Sequence, residues 1–426
     1  MRVLFINQVF WPDVAATAQH ADDLARDLVR RGHDVHVIAS RSLYGRKGAD
    51  LPSSEDRDGV RVHRVGVSLF GKSSVAARLL DFLLFYALAA LKAFTVPRPD
   101  VVVSFTTPPF ISLLGVALRA FRGCRAVYWL MDLYPDVAVA CGVMKERSLA
   151  TRFFDAVNRF CLRRSDRVVV LGRCMEERVV AKRGVDASRV VRIGVWSDGS
   201  EVAPVDRAVN PYREEWGLGD RFVVMYSGNF GLGHDVETML ESAALLDDDD
   251  RFRFVFVGGG KKKPRVEAFV RERGLRHAVV ADYQPRERLG ASLSAADAHI
   301  VSVLEGVEGC VVPCKLFGIM AVGRPALFVG SGRSEIARVL EETGSGEVVA
   351  QGDAAGLADR IRALQTDHPR AASMGERGRH ALSEVFSREA ACAAWAELLE
   401  ELAPHRRRAR PAGEPVVAPA ATEHAP

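Results

Sequence analysis

Two α/β units in tandem, each built on a parallel sheet, are what the sequence predicts, and three observations carry that expectation. Short continuous apolar runs alternate with helical periodicity along both halves of the 426 residues. A turn-rich, aperiodic stretch separates the halves, and glycine-bearing loops follow several of the apolar runs. Strands that read as unbroken Val-Ile-Leu runs, separated by helices, belong in sheets covered on both faces.

The first half opens on an apolar strand over 1–7, then a helix from Ala18 to Arg31 that places Ala21, Leu24 and Leu28 on one face. Gly32 stops that helix, and DVHVIAS (34–40) is the second strand. Further strands are expected at 60–65, 101–105, 126–131 and 167–172, with helices between most of them. Residues 193–220 carry turn formers and polar residues without a long apolar period, which marks the connection between units. A second series follows at 222–228, 252–259, 277–283, 298–304, 325–330 and 346–350. An amphipathic helix spans 388–402, and beyond Pro404 a Pro-, Ala- and charge-rich tail holds too little apolar material to fold. The expected layout is a first domain over 1–200, a second over 215–385, a closing helix over 386–403 and a disordered tail over 404–426.

Composition narrows the function classes. Hydrophobic residues make up 48% and charged residues 26%, enough for sizeable cores. A formal net charge of +4 does not mark a nucleic-acid binder. Seven scattered cysteines without a CxxC pair argue against a disulfide framework or a zinc site, and they suit the reducing cytoplasm. Cys310 and Cys314 sit four apart, with no further metal ligands near them in sequence. The opening apolar stretch is short and polar-interrupted, which suits a core strand rather than a signal peptide. The longest apolar run, Phe82 to Leu91, is too short for a spanning helix.

In open parallel sheets, ligands bind beyond the carboxyl ends of the strands, where free N–H groups at helix starts suit phosphates. Three loops stand out. Residues 227–235 (SGNFGLGHD) carry three glycines that permit close backbone approach to a ligand. Gly258, Gly259 and Gly260 precede Lys261, Lys262 and Lys263, a run that either cradles a diphosphate or is a turn with solvated lysines. It is no dinucleotide fingerprint, since the third glycine would fall on Lys263. The stretch 305–315 places Glu308, Pro313 and Lys315 near a helix start, where a carboxylate can bind sugar hydroxyls and a lysine can neutralise phosphate.

These loops fall in a longer series: FWPD (10–13), RGHDVHVIAS (31–40), TTPPF (106–110), MDLYPD (131–136), YSGNFGLGHD (226–235), FVGGG (256–260), VPCKLFGIMAVGRP (312–325) and QGD (351–353). In order and spacing the series resembles the retaining nucleotide-sugar glycosyltransferases of the GT-B fold, in particular those that assemble bacterial surface polysaccharides of the capsule or colanic-acid type. The resemblance implies two Rossmann-like domains facing across a cleft, with the last helix crossing back to the first. The second domain would hold the donor and the first the acceptor. Carried onto this chain, Gly228 and Asn229 would lie under the diphosphate, with Gly258, Gly259, Lys263 and Pro313 in the surrounding donor loops. Lys315 would be the phosphate cation, Glu308 a partner of the donor sugar, and Asp132 a cleft residue beside the reacting carbon. Trp11, Asp13 and Thr17 would stand on the acceptor side. The chain departs from the family where two glutamates usually stand with seven residues between them, since Cys310 and Gly318 occupy those positions. The Arg and Lys usual after the first donor-domain strand are also absent from SGNFGLGHD.

The implied reaction transfers a hexose-type sugar from a nucleotide diphosphate-sugar to a glycan or polyprenyl-diphosphate-linked acceptor. Departure of the diphosphate leaves negative charge on phosphate, so backbone N–H groups and lysines matter most. None of the candidate ligand loops carries a paired Asp-x-Asp signal for a divalent metal, so neither a metal ion nor another cofactor is expected. Arg78, Lys92, Arg98 and Arg119 surround apolar stretches at 79–94 and 110–121. These stretches either cover the first sheet or lie against the inner face of the plasma membrane. Two rivals remain. Gly66 to Ser73 matches G-x-x-x-x-G-K-S of phosphate-binding NTPases, though its interior (Val67, Leu69, Phe70) is bulky. A sugar-nucleotide-binding protein without transfer would share the same architecture.

Overall fold

The computed structural model describes residues 1–13, 15–43, 51–67, 75–197 and 202–403. The match at Gly66 to Ser73 and the tail at 404–426 therefore fall mostly or wholly outside the described residues.

The first sheet has eight strands: β1 (Arg2–Ile6), β2 (Asp34–Ser40), β3 (Ser54–Arg57), β4 (Val60–Val65), β5 (Val101–Ser104), β6 (Arg125–Leu130), β7 (Arg167–Val170) and β8 (Val190–Arg192). Their order is β3-β4-β2-β1-β5-β6-β7-β8. All pairs are parallel except β3 with β4. β3 was not expected, because SEDR carries no apolar residue. It is held by a two-residue turn at Asp58-Gly59, both at positive φ, the turn whose twist suits a hairpin. β8 was missed because three residues are too few to show a period.

The second sheet has six strands: β9 (Phe222–Ser227), β10 (Phe252–Val257), β11 (Ala278–Ala281), β12 (Ala298–Ser302), β13 (Ala326–Val329) and β14 (Gly346–Val349), in the order β11-β10-β9-β12-β13-β14 and parallel throughout. Chain order reverses on either side of β1 in one sheet and of β9 in the other. Crevices beyond the ends of those strands are where such sheets bind ligands.

The stretch expected as a connection belongs partly to each body. Trp196 is buried beside Trp129 of the first domain, with ring centroids 5.9 Å apart. After residue 202 the chain packs on the second domain, where Asn210 Nδ2 donates to the Ala291 carbonyl and Arg213 Nη1 to the Ala295 carbonyl, both at 2.8 Å.

The helix Arg388–Leu402 returns to the first domain, as the resemblance implied. Ser387 caps it, accepting from the Ala390 N–H at 3.2 Å. Trp395 is fully buried against Trp129, with centroids 4.4 Å apart. Glu400 reaches His33 at 3.1 Å and Glu401 reaches Arg167 at 2.7 Å. Trp395→Ala removes the main apolar anchor of this helix and is expected to cost about 3–5 kcal/mol. Urea denaturation checks this, the midpoint falling while the native circular-dichroism signal without denaturant is kept.

Candidate active site

The domains meet along a seam that sets the site. Beyond β6 the Leu133 N–H donates to the Cys310 carbonyl at 2.8 Å, tying the loop after Asp132 to the loop before Lys315. Arg178 Nη1 meets Cys310 Sγ at 2.6 Å. A side chain on Gly309, which has positive φ, would meet the Cys174 carbonyl at 2.5 Å. Farther along, Arg173 bridges Glu335 at 3.2 Å and also pairs with Glu342, while Arg338 pairs with Glu177 at 2.9 Å.

Lys315 begins the helix Lys315–Ala321 and leans over the turn that ends β9. Its Nζ donates to the Tyr226 hydroxyl at 2.5 Å and sits 3.9 Å from that ring's centroid. A methyl group on Gly228 would lie 3.5 Å from Nζ. Among the described residues no carboxylate pairs with this ammonium, and burial pulls it down to about 7, with a small opposing pull from Cys314. The Tyr226 hydroxyl, pushed up by burial, stays neutral and donates to the Asn229 carbonyl at 2.9 Å. The result is a cation held beside an open glycine turn without an anion of its own.

Gly228 and Asn229 form that turn, Gly228 at φ +142° and Asn229 exposed. Gly258 lies beneath it, where a Cβ would fall 1.9 Å from the Gly228 carbonyl oxygen, so its role is to let two loops touch. Gly259 is partly open, beside Tyr283. Lys263 turns away from the turn and pairs with Asp282, with Glu267 at 3.7 Å. The neighbouring Lys262 reaches inward instead, its Nζ donating to the His234 carbonyl at 2.5 Å. Glu308 is half-buried and accepts the Gly306 N–H at 2.7 Å, and Pro313 is buried.

Three residues that sequence reasoning passed over complete this side. Lys262 belongs to the Gly-Lys run, but only the helix phase distinguishes it from Lys263. Tyr226 lies inside the quoted YSGNFGLGHD stretch and supplies the hydroxyl under Lys315. His234 ends that loop, and its Nδ1–H donates to the Ser302 carbonyl at 2.5 Å. Burial, and then the charge of Lys315, push its pKa down to about 3, so it is a neutral imidazole with Nε2 as an acceptor.

Asp132 stands at the carboxyl end of β6. Burial raises its carboxyl to about 6, and its charge is felt by Cys141 on one side and Cys314 on the other. Among the described residues no hydrogen bond or ion pair holds it, so it is free to accept from a ligand. Trp11, Asp13 and Thr17 line the end of β1. Trp11 lies under Arg57 at 4.2 Å from its ring centroid, and the buried Asp13 accepts the Ala15 N–H at 3.0 Å. Thr17 is half-buried in the first turn of the next helix, Ala16–Arg30. The seam contact thus brings the Asp132 loop to Lys315, while the β1 trio forms a separate wall.

The two family departures have structural counterparts. Cys310 is buried under Arg178, and a Cβ on Gly318 would meet Leu293 Cδ1 at 3.3 Å. Neither position presents a carboxylate to the crevice. Among the described residues no group of His, Cys, Asp and Glu could hold a metal ion.

The family described as "Glycosyl transferase 4-like domain" matches residues 16–196, and that described as "Glycosyl transferases group 1" matches residues 209–381. WbjE of Pseudomonas aeruginosa, a protein named as a glycosyltransferase, is 32% identical over 266 residues, covering 62% of this chain and 66% of that protein. WcaI of Escherichia coli (strain K12), named for colanic acid biosynthesis, is 27% identical over 360 residues, covering 80% and 86%. Among solved structures, Anabaena Alr3699/HepE in complex with UDP-glucose superposes with a TM-score of 0.71 at 15% identity, covering 94% of this chain and 100% of that one, a likeness of fold.

Proposed function

The chain belongs to the GT-B glycosyltransferases, a glycosyl transferase 4-like domain followed by a group 1 domain, and on that premise we propose that it moves a hexose-type sugar with retention from a nucleotide diphosphate-sugar. The acceptor is a glycan or a polyprenyl-diphosphate-linked sugar met at the cytoplasmic face of the membrane. Neither metal nor cofactor takes part.

The observation that carries this is Lys315. An ammonium held by burial near 7, with a tyrosine hydroxyl as neighbour and no carboxylate, lacks the counter-charge that a diphosphate supplies. The donor diphosphate would lie over Gly228 and Asn229 at the β9 crevice, taking Lys315 and the backbone N–H groups of the turn. Asp132, across the seam, would orient the acceptor hydroxyl or face the developing positive charge at the anomeric carbon. That the relatives WbjE and WcaI are named as glycosyltransferases, WcaI for colanic acid, favours an extracellular polysaccharide as the destination.

A panel of UDP-, GDP- and dTDP-sugars, assayed for nucleotide release, tests the proposal. One donor should turn over, and excess EDTA should leave its rate unchanged. Thermal stabilisation by a nucleotide without release from any donor would instead mark a binding protein. ATP hydrolysis lost in Lys72→Ala would favour the NTPase alternative.

A further inference from the structure

A cavity of about 720 Å³ opens at the amino ends of β9, β12 and β13, the edge of the second sheet opposite the donor crevice. Strand β9 is six residues long, so the cavity lies about 20 Å from the Gly228 turn at its other end. Its volume falls in the range of small-molecule sites. Arg221 and Phe222 line it from the start of β9, Asp297 from the start of β12, and Arg324 and Pro325 from the turn before β13. Arg207 lines it as well, as do His368 and Ala371 from the first turn of the helix His368–Glu384.

The charges of this cavity do not balance. Asp297 is its one half-buried carboxylate, and its oxygens are taken up by Arg207 at 2.6 Å and the Val223 N–H at 2.8 Å, with Arg213 at 3.6 Å. Asp220 and Asp250 stand exposed, where water and salt screen them. Arg251 is exposed too and pairs with Asp249 at 2.6 Å. That leaves Arg221 and Arg324, neither of which forms an ion pair among the described residues. Arg221 Nε donates to the Asp250 carbonyl at 2.9 Å, and Arg324 Nη2 to the Ser294 carbonyl at 3.2 Å. Arg324 Nε is buried with no hydrogen-bond partner among the described residues. Burial weakens the hold of Arg324 on its proton, and Asp297 only partly offsets this. Backbone carbonyls thus fix both guanidinium groups without neutralising them. An anion would supply the counter-charge and the missing acceptor together.

The rest of the lining says what should carry the anion. Phe222, Pro325 and Ala371 are buried and apolar, and the His368 ring lies 6.2 Å from that of Phe222. An inorganic ion would leave this surface and most of the volume unfilled. A phosphate ester offers oxygens to the two arginines and a ring to the apolar wall. Arg324 also follows the helix Lys315–Ala321 just past its C-cap Val322, so the ligand would hold the end of that helix opposite Lys315.

We infer that this cavity binds a phosphate monoester carried on a sugar, free or as part of a nucleotide, through Arg221 and Arg324 and apart from the donor crevice. Calorimetry on the full chain carrying Lys315→Ala, which weakens anion binding at the donor turn, tests the inference. Glucose 1-phosphate and uridine monophosphate are titrated in turn, with glucose as the uncharged control. At least one ester should bind saturably, and glucose should not. Arg324→Gln, added to that background, should weaken the ester about ten- to a hundredfold, the loss of one charge-assisted hydrogen bond. Arg221→Gln, at a half-exposed position, should do the same with an unchanged melting temperature, which separates a lost site from a lost fold. Bound ester should slow amide hydrogen exchange at 323–326 and leave 226–235 unaffected. Absence of saturable binding by either ester overturns the inference, as does binding that glucose matches or that both arginine substitutions leave unchanged. Protection that appears at 226–235 instead overturns it too, by assigning the ester to the donor crevice.

Discussion

Lys315→Ala is expected to lower nucleotide release from the donor by about 10²- to 10³-fold, the range seen when one preorganised charge-stabilising group is removed. The effect falls on the leaving group, so kcat drops and not only donor affinity. Stability should not fall with it, because a lysine depressed by burial is a cost to the empty protein and alanine removes that cost. The same depression predicts a proton linkage. In the empty protein Lys315 titrates near 7, and a bound diphosphate raises that value by favouring the charged form. Donor binding therefore takes up a proton above pH 7 and needs none below it. Affinity should be flat below that point and fall about tenfold per pH unit above it. Calorimetry in two buffers of different ionisation heat reads the proton directly. Lys315→Arg keeps its charge throughout and should flatten the profile while retaining part of the activity. A donor affinity that does not change between about pH 7 and 9 in the unaltered chain would remove Lys315 from the diphosphate.

Most of the fold was legible because its signals are local. Val101 to Val103 and Phe222 to Tyr226 are apolar on successive residues, as in strands buried on both faces. The Asp58-Gly59 hairpin was equally local, but it was overlooked because its first strand is wholly polar and shows no apolar alternation. Contacts between distant residues were not legible. The 388–402 helix shows an apolar face, yet nothing in its period says that Trp395 rests on Trp129. The site divides in the same way. Gly228, Asn229 and Lys315 fall in recognisable loops, and the structure places them together. The split between Lys262 and Lys263 turns on one helical step, and Asp282, which takes Lys263, lies nineteen residues on. Cys310 showed as a departure from a motif. That it carries the seam to Leu133 and Arg178 appears only when both domains are folded.

Asp132 supplies the second large effect, and it joins the first in a single profile. Burial raises its carboxyl to about 6, so the ionised form that can orient an acceptor hydroxyl is lost as pH falls through that value. Lys315, in the empty protein, loses its charge as pH rises through about 7. Since kcat/KM reports the groups of the free enzyme, transfer should follow a narrow bell between the two. Asp132→Asn keeps the shape and removes the charge, and transfer should fall by about 10²-fold or more. In that variant the residual activity should lose its acid limb and keep its alkaline one, whereas Lys315→Arg should do the reverse. Donor affinity distinguishes the two roles further, since a residue on the acceptor side leaves it unchanged. If Asp132→Asn keeps full transfer, or weakens donor binding instead, the carboxylate belongs to the turn before Tyr134 and the acceptor is oriented from the β1 wall of Trp11, Asp13 and Thr17.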